Sequence, residues 1–118
     1  MDQSAARQKI SINYIEFKVK DVVQSKRFYQ NLGWTFTDFG PEYCEFDSGE
    51  IKGGFAQSDD VQSSGGALIV LFSAQLEQSL VCVKEAGATI VQEIFSFPGG
   101  RRFHFKDLDG YEIAIWSH

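Results

Sequence analysis

The sequence is poor in the residues that most often bind metals or cross-link chains. Its 118 residues include only two histidines and two cysteines. Cys44 and Cys82 lie far apart, so they match neither a disulfide framework nor a zinc motif. The longest clean apolar run, residues 67–72, is far too short to cross a bilayer and instead predicts a buried strand.

Basic charge is also scarce. Lys and Arg number 11 against 16 Asp and Glu, for a net charge of -5. General binders of nucleic acid or of anionic membranes need a basic face, so we expect neither partner. Residues 1–9 are polar, which predicts a mobile arm without the apolar core of a secretory signal. These features together predict a cytoplasmic protein.

Hydrophobic residues, in contrast, are plentiful. They make up 43% of the chain, and 11 residues are phenylalanine. This composition excludes a disordered chain and predicts one small domain with a core packed by rings.

The periodicity predicts strands and helices in a repeating order. Residues 15–20 alternate apolar and polar side chains, as in a strand with one buried face. Asp21 and Gln24 then resemble a capping box, and Gly33 suits the position just after a helix. We predict helices at 21–32 and 75–86, and strands at 15–20, 34–39, 43–46, 51–57, 67–72, 88–97, 101–106 and 111–116.

Glycine spacing supports an internal repeat. The helix-ending Gly33 and Gly87 are 54 residues apart, and the hairpin glycines Gly49 and Gly110 are 61 apart. A β-α-β-β-β unit has one helix to cover one face of its sheet and leaves the other face open. We therefore predict an α+β fold of two tandem βαβββ modules that form a curved mixed sheet around a trough. The predicted parts are an arm at 1–9, a first module at 10–57, a linker at 58–66 and a second module at 67–118.

Several stretches resemble a known superfamily. Asn13–Asp21, Ser25–Tyr29 and Leu32–Trp34 are similar to the first module of the vicinal oxygen chelate superfamily, which includes glyoxalase I, bleomycin resistance proteins and extradiol dioxygenases. Asp107–Tyr111 resembles its final hairpin, with Leu108 in place of the usual proline. The resemblance implies the fold but no particular reaction, because this fold supports many chemistries.

Catalytic members of that superfamily hold a metal ion at four positions in the trough. The resemblance and the internal repeat place these positions at Tyr14, Gly53, Leu68 and Ala114. Such sites need imidazole or carboxylate ligands, and none of the four residues supplies one. We therefore predict no inherited metal site and no cofactor. A different metal site, built from Glu16, His104 and Glu112, remains an alternative.

Side chains on the trough face predict a small-molecule site. From strand parity and position, the candidates are Tyr14, Glu16, Phe55, His104, Glu112 and Trp116. Aromatic walls bind flat or cationic ligands, although the same rings could fill the trough as core. Glu16 is either a base or cation partner in the trough, or a rim carboxylate paired with Lys18 or Arg102.

A second polar cluster follows Gly99 and Gly100. Arg101, Arg102 and His104 could hold a carboxylate or phosphate, or could form a solvated strand end.

Three functions follow from these observations. The first is a metal-free binding protein for an unknown small molecule, resembling the bleomycin resistance branch. The second is a glyoxalase-like lyase or dioxygenase-type enzyme that uses Glu16 or an unrecognised metal site. The third is an interaction module with a filled trough. The resemblance also implies a homodimer, in which modules from two chains complete each trough.

Overall fold

The computed structural model of the chain describes residues 12–118. The predicted mobile arm at 1–9 lies outside the described residues. The helices are α1 (Val22–Gln30) and α2 (Leu76–Ala86). The strands are β1 (Tyr14–Val19), β2 (Thr35–Asp38), β3 (Tyr43–Asp47), β4 (Lys52–Gln57), β5 (Ile69–Phe72), β6 (Thr89–Phe97), β7 (Gly100–Lys106) and β8 (Glu112–Ser117).

The eight strands of the described part of the chain form two four-stranded sheets, with orders β1-β4-β3-β2 and β5-β8-β7-β6. In each sheet the first strand pairs in parallel with the last strand of its module, and the other pairs are antiparallel. The predicted α+β fold of two βαβββ modules is confirmed. Helix α1 packs on β4, and α2 packs on β7 and β8. We call the sheet face that points away from its helix the open face.

The two helices begin differently. The Asp21 carboxylate accepts a hydrogen bond from the Gln24 backbone N–H at 3.1 Å, which caps α1 as predicted. Gln75 precedes α2 and makes no side-chain cap. Helix α2 ends at Gly87, whose φ of 104° is left-handed and favours glycine.

Aromatic rings fill the space between α1 and the first sheet. Phe55 is only 1% exposed and lies among the rings of Tyr29, Trp34 and Phe46. The prediction that Phe55 lines the trough is therefore wrong. Its ring packs on the helix side of the sheet.

The strand register explains this error. β1 pairs Glu16 with Gly54, and the corresponding pair in the second module is Val70 with Ala114. Gly54, not Gly53, is thus the counterpart of Ala114, and the predicted parity of β4 was shifted by one residue. Such a shift moves every side chain of the strand to the opposite face.

The apolar run at 67–72 is not fully buried. Strand β5 covers only Ile69–Phe72, and its side chains alternate between the two faces. Val70 and Phe72 lie on the open face and are 46% and 53% exposed. The second sheet therefore presents apolar side chains that the described residues leave uncovered.

The hairpin between β7 and β8 joins the two modules. Asp109 accepts hydrogen bonds from the Lys20 backbone N–H at 2.7 Å and from the Ser25 hydroxyl at 3.2 Å. Asp107 accepts one from the Tyr29 hydroxyl at 2.6 Å. Burial, followed by the nearby Asp107 carboxylate, raises the pKa of Tyr29, and burial also raises the pKa of Asp107. The hairpin that carries the family resemblance thus holds the second module against the first through these hydrogen bonds.

Within residues 12–118, neither helix has the length and apolar character needed to cross a membrane.

Candidate functional site

The open face of the first sheet carries a short chain of hydrogen bonds. The Tyr43 hydroxyl donates to Glu16 Oε1 at 2.9 Å. Since a hydroxyl has a single proton, Tyr14 is the donor in its hydrogen bond to Tyr43. Sequence analysis predicted Tyr14 and Glu16 for this face but missed Tyr43, which reaches them from the other side of β4.

Gly54 makes room for this arrangement. A Cβ atom at Gly54 would lie 1.9 Å from the Tyr43 hydroxyl and 2.7 Å from the Tyr14 hydroxyl, so any side chain there would displace both phenols. Burial and the hydrogen bonds with Tyr14 and Glu16 raise the pKa of Tyr43. Tyr43 therefore keeps its proton at neutral pH and acts as a donor to Glu16.

The open face of the second sheet carries an imidazole held by a carboxylate. His104 Nδ1 lies 2.8 Å from Glu112 Oε2, and the His104 ring stacks on Phe95 with 5.8 Å between centroids. His104 is 8% exposed, and its Nε2 atom is buried without a hydrogen-bond partner among the described residues. Buried polar atoms are rarely left unpaired, so this nitrogen marks a candidate ligand contact.

Arg102 lies beside His104 on the same face. Its guanidinium packs against the rings of Phe95 and Phe97, at 5.4 and 5.3 Å from their centroids. Its Nε atom is also buried without a partner, and no carboxylate in residues 12–118 pairs with it. Arg101 points to the opposite face, where it pairs with Glu77 of α2. The predicted basic cluster is therefore divided between two faces.

Further rings extend the wall next to Arg102. Trp116 is the register partner of Arg102, and its ring meets Phe72 edge to face at 5.1 Å. His118 contacts both rings, at 5.4 Å from Phe72 and 5.0 Å from Trp116. The result is a surface of flat side chains beside one cation.

The predicted site residues thus separate into three places. Tyr14 and Glu16 lie on the first open face. His104, Glu112 and Trp116 lie on the second, while Phe55 lies in the core. Residues 12–118 contain no group of three His, Cys, Asp or Glu side chains that could hold a metal ion.

The four positions that the sequence resemblance implies for a metal ion do not suit a divalent ion. Corrected for register, they are Tyr14, Gly54, Leu68 and Ala114. A phenol is a poor ligand for such ions near neutral pH, and the other three side chains have no donor atom. The Tyr14 hydroxyl is moreover engaged with Tyr43.

A cleft of about 590 Å³ lies between the modules. Ile15 and Phe17 line it from the first module, and Leu71 and Ile115 from the second. Phe72 and Trp116 of the second open face also line it, but Arg102 and His104, whose buried polar atoms have no partner within residues 12–118, do not. The polar groups available to a ligand therefore indicate binding at the open face of the second sheet, next to this cleft.

Two βαβββ modules, each with one helix-covered and one open sheet face, define the glyoxalase-like class of α+β folds. The model of the Glyoxalase/Bleomycin resistance protein/Dioxygenase superfamily matches residues 11–115. The chain belongs to this superfamily, which confirms the resemblance found in the sequence.

Solved structures show the same fold at low sequence identity. Hypothetical protein SA1046 from S. aureus matches with a TM-score of 0.80 at 22% identity, over 99% of this chain and 100% of that one. A glyoxalase-related enzyme from Fulvimarina pelagi matches with a TM-score of 0.78 at 18% identity, over 92% of this chain and 88% of that one. A glyoxalase/bleomycin resistance protein/dioxygenase family enzyme from Burkholderia phytofirmans PsJN matches with a TM-score of 0.79 at 17% identity, over 87% of this chain and 94% of that one. No curated protein matches the chain.

Proposed function

We propose that the chain is a metal-free small-molecule-binding protein whose site is the open face of the second sheet. The observation that carries this proposal is the wall of rings around Trp116, which lies beside two buried polar atoms that have no partner within residues 12–118. Rings supply stacking area, while the Arg102 guanidinium, which no carboxylate of the described residues pairs with, supplies a polar contact. The two free cysteines, Cys44 and Cys82, fit a reducing cytoplasm.

The proposal includes a homodimer, in which the first module of a second copy covers this face. Leu68, Val70 and Phe72 form a row of apolar side chains that are 40–53% exposed. Such a row is typical of a surface that is covered in the assembled protein. The chain alone is elongated, with extents of 57 × 42 × 25 Å, and a second copy would give the open face its opposite wall.

Light scattering tests the assembly. We expect twice the chain mass of 13.3 kDa at micromolar concentration. Val70→Asp places a charge in the apolar row and should shift the protein towards the monomer. Val23→Asp is the matched control, because Val23 is 55% exposed on α1, on the other side of its sheet. A wild-type monomer would contradict the homodimer.

Elemental analysis tests the metal-free state. We expect far less than one zinc, nickel, iron or manganese per chain after dialysis. About one retained ion per chain would contradict the proposal and favour a metal-dependent enzyme.

A metal-free enzyme with acid–base chemistry is the second candidate. The Tyr14–Tyr43–Glu16 hydrogen bonds favour it, because they connect a carboxylate base to two phenolic protons. A screen of small aromatic compounds by tryptophan quenching separates the candidates. A bound compound recovered unchanged after long incubation supports the binding protein, whereas conversion that Glu16→Gln abolishes supports the enzyme.

A further inference from the structure

Arg102 is a half-buried cation without a counter-ion among the described residues. Lys26 pairs with Asp38, and Arg101 pairs with Glu77, but Arg102 makes neither an ion pair nor a hydrogen bond within residues 12–118. Taking a charge out of water is costly unless an opposite charge compensates it. The rings of Phe95 and Phe97 offset part of this cost through cation–π contact, but they accept no N–H hydrogen bond of carboxylate strength.

The surroundings of Arg102 specify what could compensate it. A guanidinium has a planar set of donors that matches the two oxygens of a carboxylate. Glu112 is an acidic side chain on this face, but it is four register positions along β8 from Trp116 and is already held by His104. The counter-ion of Arg102 must therefore come from outside residues 12–118 of the same chain.

The same surroundings specify the rest of the ligand. Trp116 is opposite Arg102 in the register, and Phe72 stands next to Trp116 with 53% of its surface exposed. A flat apolar group attached to the anion would lie on these rings. The His104 ring stacks on Phe95, and its buried Nε2 atom has no hydrogen-bond partner within residues 12–118.

We propose that the open face of the second sheet binds an aromatic carboxylate, whose anionic group pairs with Arg102 and whose ring packs on Trp116 and Phe72. This inference rests on the proposed function and names the class of its ligand.

Calorimetric titration of the full chain tests the proposal with 1-naphthoate as the probe. The neutral 1-naphthamide has nearly the same shape, and 1-naphthyl phosphate carries a different anion. We expect the amide to bind at least tenfold more weakly than the carboxylate, because it lacks the charged contact. Tighter binding of the phosphate than of the carboxylate would overturn the choice of anion.

Adjacent arginines provide a matched pair of variants. Arg102→Gln should weaken 1-naphthoate binding tenfold or more and 1-naphthamide binding by a much smaller factor, because only the carboxylate makes a charged contact. Arg101→Gln removes the same charge from the opposite face and should change neither by more than about twofold. Arg102→Lys keeps the charge but loses the planar donors, so it should fall between the wild type and Arg102→Gln.

Other outcomes overturn the inference. An equal loss of 1-naphthoate affinity in Arg101→Gln and Arg102→Gln would show that only the overall charge of the protein matters. Suppose that 1-naphthamide and 1-naphthoate bind equally well, and that backbone N–H signals around Trp116 shift in NMR spectra. This result would contradict a requirement for an anionic ligand but would support a small-molecule site on this face. Absence of any naphthyl binding would overturn the ligand class, while the light-scattering and elemental tests would still decide the proposed function separately.

Discussion

Helix α1 packs on its sheet mainly through the rings Phe28 and Tyr29, whereas α2 packs through the aliphatic side chains Leu76 and Val83. The first sheet meets α1 with further rings around Phe55, while the second sheet meets α2 with a mixture of aliphatic side chains, Ile113 and Ile115, and two buried rings, Phe103 and Phe105. One backbone plan thus accepts two different core compositions, because a core needs matched volume and apolar character more than particular residues.

The open faces differ in a way that bears on function. In the first module Tyr14, Tyr43 and Glu16 satisfy one another's hydrogen bonds. In the second module Arg102 and His104 each keep a buried polar atom without a partner among residues 12–118. A polar network that is complete contributes to structure, whereas an incomplete one indicates a ligand or a second chain.

The largest expected difference is between replacing a ring in the core and replacing a ring on the open face, measured as the change in the free energy of unfolding. Phe55→Ala removes a ring that is 1% exposed and should cost about 3–5 kcal/mol in the free energy of unfolding. Phe72→Ala removes a ring that is 53% exposed and should cost about 1 kcal/mol. Urea unfolding in the Val70→Asp background, in which the second copy should no longer cover Phe72, measures both costs without the contribution of dimer assembly. Similar costs would contradict the assignment of the two rings to core and site.

Helix capping offers a smaller contrast between the modules. Asp21→Ala removes the side chain that caps α1 and should cost about 1 kcal/mol. Gln75→Ala at the start of α2 removes no side-chain cap and should cost close to nothing. The same urea unfolding measurement compares them, and a larger loss for Gln75→Ala would show that the two helix starts are wrongly described.

Local signals in the sequence were sufficient to predict the modules. Asp21 and Gly87 mark helix ends through chemistry within a few residues, and the Gly110 turn marks the last hairpin in the same way. These features depend on backbone preferences that one short segment determines. The two helices and eight strands found in residues 12–118 were therefore predicted in the correct order.

Register and long-range pairing could not be predicted in this way. Gly53 and Gly54 carry no side chain that shows which of them faces the helix, so parity counted from Gly110 placed Phe55 on the wrong face. Tyr43 joins the Glu16 network only because β3 and β1 both pair with β4. Contacts of this kind depend on the assembled sheet, which a reading of single segments does not contain.

The smallest expected effect concerns the hairpin that joins the modules. Burial raises the pKa of Asp107 above its ordinary value, so the native state binds this proton more tightly than the unfolded chain does. The contribution of Asp107 to stability is then fully present below about pH 4 and is lost as the pH rises through its native pKa. Asp107→Asn cannot ionise and lacks this dependence.

The stability of the wild type relative to Asp107→Asn should therefore increase as the pH falls from 7 to 4. Urea unfolding at several pH values measures this difference, and Asp59→Asn at an exposed position controls for the loss of one negative charge. Asp107 also accepts hydrogen bonds from the Tyr29 hydroxyl and from the backbone N–H groups of Asp109 and Tyr111, which favour its charged form. A difference that instead decreases towards pH 4 would show that these donors outweigh burial, and that the modules are joined through an ionised carboxylate.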